Sequence, residues 1–253
     1  MTPLSKFPRL RFQASRRRML RSVAAAICAG TFGCAGGAGA QAPKESGLSY
    51  EGLLERQPGF QPRSPAPLPV AEIPGFLSKE QLARSYAAYR QAFATLLTAE
   101  KALQSASRDA AHGQDYAALR ARQVVAANSV LLHEFYFGNL ASTPAQPSSY
   151  VLDNMSEHMG TLDVWRRDFM ACARVASAWA VLVYDPYDDR WHDLPLGTAD
   201  GGGMIGNNPL VVCDVSKDAW SLDYSELDTY VARFLDHVDW RAVATRYRAV
   251  DRR

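Results

Sequence analysis

The residue most able to do chemistry is His133, set in the apolar run Leu131-Leu132-His133-Glu134-Phe135-Tyr136-Phe137. A buried imidazole is either a hydrogen-bonded core group or a ligand for a transition metal. Asp214 closes the run Leu210-Val211-Val212-Cys213-Asp214, and Asp218 follows four residues later. An aspartate at a strand end is usually a turn or cap residue. Two carboxylates at that spacing, on a turn or helix start, can also meet one cation or simply be solvated. His112, His158, His192 and His237 lie in polar contexts without ligand spacing and are expected at the surface. Gly201-Gly202-Gly203 is no phosphate loop, because no Lys-Ser or Lys-Thr follows at the required spacing.

These side chains need elements to carry them. From Ser78 to about Leu103, Leu82, Tyr86, Tyr89, Phe93, Leu96, Leu97 and Leu103 recur mostly at three- and four-residue steps, which predicts an amphipathic helix. A polar stretch from Ser105 to Gln114 interrupts it. A second helix from about Tyr116 to Leu140 is apolar on most of its circumference near Val124 and Val125 and is expected to be buried. The loop Ala141 to Ser149 leads to the second half. There a helix around Asp163 to Ala178 precedes a buried strand, Trp179 to Tyr184. Arg190 to Leu196 can pair back, Leu210 to Asp214 forms a third strand, and two helices close the chain, one around Ser225 to His237 and one capped by Asp239. The predicted class is α+β: an N-terminal helical hairpin (76–142), then a C-terminal domain (143–253) with a small three-stranded antiparallel sheet and flanking helices.

Two segments precede the hairpin. Residues 1–40 hold seven Lys and Arg and no acid. Ser15-Arg16-Arg17-Arg18-Met19-Leu20-Arg21 resembles a twin-arginine export motif, an Ala- and Gly-rich stretch from Val23 to Gly39 is too short and weakly apolar for a transmembrane helix, and Ala38-Gly39-Ala40 offers a cleavage site. The expectation is a signal peptide, a periplasmic or secreted mature protein beginning at Gln41, and no membrane span in it. Lipid attachment at Cys34 is the competing reading, disfavoured by the bulky Phe32. Residues 41–75, with Pro65-Ala66-Pro67-Leu68-Pro69, read as an irregular arm. Beyond residue 40 the chain carries 21 basic and 26 acidic residues, a balance of −5 that argues against a nucleic-acid partner. Cys172 and Cys213 remain there; they pair as one disulfide or stay as buried thiols.

Several segments carry a family resemblance. Leu131 to Leu140, Ala178-Trp179-Ala180-Val181-Leu182-Val183, Pro209 to Val215, Leu222-Asp223-Tyr224 and Val238-Asp239-Trp240 resemble, in order, motifs of the iron/manganese superoxide dismutases. The resemblance covers roughly residues 73 to 248. It implies a redox metal, iron or manganese, held by three histidines and an aspartate, with His133 and Asp214 as two of the ligands. It also exposes departures. The last-strand histidine position is Asp218, and the first-helix histidine aligns with Ser85; no histidine occurs between Gln41 and Ala111. The glutamine that holds the metal-bound solvent would fall at Ser129, or within Ala199 to Gly203; the funnel tyrosine aligns with Phe93, and the glutamate that bridges the family's dimer is Lys217.

Two function classes follow. One is an extracytoplasmic superoxide dismutase with an altered set, His133, Asp214 and Asp218, with Ser85 or water. The other, favoured because one imidazole and two carboxylates make a poor redox site, is a relative with little metal or none that keeps the fold as a binding or structural module. Any homodimer is expected to be weakened at Lys217.

Overall fold

Ser78 marks where the first helix starts, because its Oγ accepts the Gln81 N–H at 3.1 Å in place of an intrahelical partner. Helix α1 (Lys79–Ser105) then buries Leu82, Ser85, Tyr89, Phe93, Leu96 and Leu103 along one face. The computed structural model describes residues 64–197 and 203–251. After a single 3-10 turn at Ala110–His112 comes α2 (Gly113–Phe137), whose buried face carries Ala126, Ala127, Val130, His133, Tyr136 and Phe137. Tyr89 meets His133 near one end and Glu100 meets Gln123 near the other, so the two helices run antiparallel as a hairpin. Val124 and Val125, expected inside, are 49% and 37% exposed. They lie off the face of α2 that carries Ala126, Ala127 and Val130.

The second half opens with a helix that the sequence reading passed over, α3 (Ser149–His158). Only Val151 and Met155, one turn apart, are buried on it, amid polar residues. Helix α4 (Leu162–Val175), capped by Thr161, leads to β1 (Trp179–Asp185), whose seven residues are all buried. Strands β2 (Arg190–Leu196) and β3 (Asn208–Asp214) flank β1 antiparallel in the order β2-β1-β3. Pro195 and Pro209 thus sit on edge strands, where a missing N–H costs least. The register aligns Trp179 with Asp214 at one end of the sheet and Asp185 with Arg190 at the other. A one-turn helix α5 (Lys217–Trp220), then α6 (Leu227–Asp236) and α7 (Trp240–Val250), finish the chain, and Asp239 accepts the Arg241 and Ala242 N–H groups as predicted. With seven α-helices and a three-stranded antiparallel sheet among the described residues, the class is α+β.

One side chain fixes the hairpin against the sheet. Asn139, fully buried just past α2, accepts the Val212 N–H at 2.9 Å and donates to the Leu210 carbonyl at 3.3 Å, imitating a neighbouring strand along the edge of β3. That contact brings the last turns of α2 to the C-terminal end of β3. No helix among the described residues is long and apolar enough to cross a membrane. The predicted signal segment, most of the arm and residues 198–202 lie outside the described residues.

Candidate metal centre

Two of the predicted ligands come together. His133 Nδ1 lies 2.7 Å from the Ser129 carbonyl, and since a carbonyl only accepts, Nδ1 carries the proton. In the neutral ring Nε2 then presents a lone pair, 3.9 Å from Asp214 Oδ2. Both residues are buried, at 5% and 3% exposure. Burial pushes the imidazole pKa down. It pushes the Asp214 carboxyl up to about 7, against hydrogen bonding from Ser216 that lowers it. The contact is thus not an ion pair: a neutral imidazole faces a carboxyl group that still holds its proton in mildly acidic solution.

An aromatic wall surrounds the pair. Trp179 meets the His133 ring edge-on with centroids 4.8 Å apart, while Tyr89 and Phe137 stand at 6.0 and 6.1 Å. Phe93, at the position where a hydroxyl was expected to be missing, is 2% exposed and turns its edge to Tyr89. The Tyr89 hydroxyl donates to Glu134 Oε1 at 2.7 Å.

The other two positions are used elsewhere. Ser85 is buried one turn above Gln81, and its Oγ donates to the Gln81 carbonyl at 3.2 Å. Asp218 does not join the pair: its side chain is 58% exposed and its carboxylate bonds to Arg84. Gln81 locks the same place from inside, donating Nε2 to the Asp218 carbonyl at 2.6 Å and accepting the Leu222 N–H at 2.9 Å. Among the described residues the donors turned to this place are one nitrogen and one carboxylate oxygen. They do not fit a redox iron or manganese ion, which needs more ligands from the same groups. Lys217 is exposed.

Cys172 and Cys213 are free and buried, and burial pushes the Cys172 thiol up to about 12, so neither is a thiolate. His237, expected at the surface, is 2% exposed; its Nδ1 donates to the Arg233 carbonyl at 2.9 Å and its ring stacks on Phe76 at 4.7 Å. His112 is exposed as predicted, and His158 is half-buried against Trp191. Sequence reasoning missed one grouping: at the β1–β2 turn the ligating atoms of Asp185, Asp188 and His192 lie within 4.8 Å of one another. Asp188 to His192 is a four-residue step that could have drawn notice. The turn itself uses these groups, Asp185 accepting the Tyr187 N–H, and Asp188 the Arg190 N–H and the His192 ring.

Comparison with known proteins supplies the context. Residues 147–246 match the family described as iron/manganese superoxide dismutases, C-terminal domain. The chain is 30% identical over 118 residues to a manganese superoxide dismutase of Haloarcula marismortui, across 46% of this chain and 58% of that protein. It is 28% identical over 119 residues to manganese superoxide dismutase 2 of Haloferax volcanii, covering 46% and 60%. An iron superoxide dismutase of Cupriavidus metallidurans is 27% identical over 142 residues, covering 53% and 69%. The chain thus spans about 60% of the length of the first two relatives. Asp214 and Asp218 lie inside the family match; Ser85 and His133 precede it.

Proposed function

The chain belongs to the iron/manganese superoxide dismutase family, and from that premise we propose that it is an exported member whose superoxide dismutation is lost or strongly reduced. Its fold then serves as a binding or structural module. The observation that carries this reading is the engagement of Asp218 by Arg84 and Gln81, which leaves His133 and Asp214 as the two inward donors. Iron or manganese held by those two alone is weakly bound and untuned, since ligand number and the groups behind the ligands set both affinity and potential. Export rests on the twin-arginine pattern of Ser15 to Arg21. A homodimer, if formed, lacks the bridging glutamate at exposed Lys217.

The test is metal content and superoxide dismutation of protein purified from its own compartment, beside the variant Ser85→His with Asp218→His. The unaltered protein is expected to carry well under one equivalent of iron or manganese and no ordinary dismutation. The double variant has a buried serine enlarged, so its metal-free form loses about 1–3 kcal/mol. Added manganese raises its stability by mass action. Stoichiometric metal with ordinary dismutation in the unaltered protein overturns the proposal. Export is tested by Arg16→Lys with Arg17→Lys, expected to leave precursor inside the cell; normal export of that variant refutes the twin-arginine reading.

A further inference from the structure

We propose that Asp193 of β2 and Asp168 of α4 hold one proton between them, a latch that fastens the helix to the sheet in acid and neutral solution and loosens it in alkali. Asp193 stands opposite fully buried Leu182 of β1. Its Oδ1 accepts the indole N–H of Trp165, also fully buried, at 3.2 Å. Its Oδ2 is sealed from solvent and meets no donor among the described residues. Buried polar atoms are ordinarily paired, and one left without a partner destabilises the fold. The side chain beside this oxygen is Asp168, one turn along α4 from Trp165 and within hydrogen-bonding reach. Two carboxyl groups form a hydrogen bond when one of them keeps its proton. The proton belongs on buried Asp193, since exposed Asp168 is solvated as an anion and accepts.

The neighbouring groups leave the pair to itself. From α4, Asp193 is faced by Trp165, Asp168 and the thiol of Cys172, which burial and both aspartates push up. Arg166 and Arg174 of the same helix bind Asp236 and Asp228 of α6. From α3, His158 lies against Trp191 and the Glu157 carbonyl takes Arg190. His192, on the other face of β2, is bound to Asp188. Burial and the Asp168 charge hold the Asp193 carboxyl up at about 8, against the Trp165 hydrogen bond that lowers it. Above that value the proton passes to solvent, and two like charges are left facing across the contact of α4 with β2. The stabilisation is complete below the ordinary carboxyl range and is lost as pH climbs through about 8. Because α4 stays tied to α6 by its two ion pairs, the loosening is local.

The indole N–H resonance of Trp165, identified by its absence from Trp165→Phe, reports the charge on the oxygen it binds. In the unaltered protein it is expected to shift with a midpoint at about pH 8. Asp193→Asn keeps an oxygen for Trp165 and gives Asp168 a permanent N–H. The shift should then vanish, and at about pH 9 the α4 amides should be better protected from exchange, relative to those of α1, than in the unaltered protein. Asp168→Asn is isosteric at an exposed position, and its amide donates to ionised Asp193. The Trp165 midpoint should fall by about a unit or more, roughly tenfold weaker proton binding. A midpoint that Asp168→Asn leaves in place means that Asp193 titrates alone, and overturns the latch. So does a Trp165 resonance that fails to titrate in the unaltered protein, or α4 protection that Asp193→Asn does not raise. His133, Asp214 and metal play no part in these measurements, so failure here leaves the proposed function standing.

Discussion

His133 and Asp214 are both buried, at 5% and 3% exposure, beside a wall of aromatic rings, whereas Asp218 is 58% exposed at its side chain and bonded to Arg84. Ser85, though buried, spends its hydroxyl on its own helix. The buried half keeps its chemistry because each residue is oriented from within its own segment: His133 by the Ser129 carbonyl, Asp214 by the Ser216 N–H. The atoms that face each other are left without those partners. The other half has become a stitch between α1 and the loop after β3, made by Gln81, Arg84 and Asp218. A side chain aimed by its neighbours in sequence can keep a free atom, while one recruited across the fold becomes structural.

The largest expected effect lies in the buried half and is read by pH. Asp214 is pushed up from 3.8 to about 7, so the unfolded chain loses that proton while the folded one still holds it. Stability therefore falls as pH rises from about 4 to about 7, by at most roughly 4 kcal/mol. Asp193, pushed up to about 8, adds a slope of the same sign. His133, whose pKa is lowered, acts oppositely: its unfolded form binds a proton below its ordinary pKa, so stability rises toward neutrality on its account. Asp214→Asn keeps an oxygen for the Ser216 N–H and removes the ionisation. Its stability curve between pH 4 and 7, from urea midpoints, should be flatter than that of the unaltered protein. Parallel curves would mean that the Asp214 carboxyl is already ionised in the fold.

Much of this layout was legible in the sequence. The run from Trp179 and the paired run from Arg190 to Leu196 declare themselves by apolar content and by the intervening Asp185-Pro186. Asp239 as a cap is a local rule, and it held. What escaped was burial imposed from far away. His237 looks like a surface residue until Phe76 stacks on it. Helix α3 buries only Val151 and Met155, too few apolar positions to stand out from a polar loop. The same limit applied at the candidate centre, where the absence of histidine before Ala111 could be read directly but the capture of Asp218 by Arg84 and Gln81 could not.

An intermediate effect is expected at Gln81, which is fully buried and binds both the Asp218 carbonyl and the Leu222 N–H. Gln81→Leu fills nearly the same volume but leaves both backbone groups without their partner. The cost should be about 2–4 kcal/mol, since each polar group left unsatisfied away from water costs roughly 1–3 kcal/mol. Gln81→Glu keeps an acceptor for Leu222 and loses the donor to Asp218, so it should fall between. The measurement is the urea midpoint at unchanged slope. If Gln81→Leu is neutral, the inner stitch carries no stability and the contrast between the two halves is one of exposure alone.

The smallest effect belongs to the outermost contact. Arg84 and Asp218 are 41% and 58% exposed at their side chains, so their attraction is weakened by water and by the entropy of holding two mobile groups together. Arg84→Ala should cost under about 1 kcal/mol, and most of that difference should vanish in about 1 M salt, where charges are screened beyond roughly 3 Å. Because Gln81 holds the Asp218 backbone independently, the freed carboxylate stays at the surface. A loss well above 1 kcal/mol that persists in salt would show the guanidinium to be part of the packing between α1 and the loop. The exposed half would then be as firmly built as the buried one, and Asp218 could not return to His133 by loss of its ion pair alone.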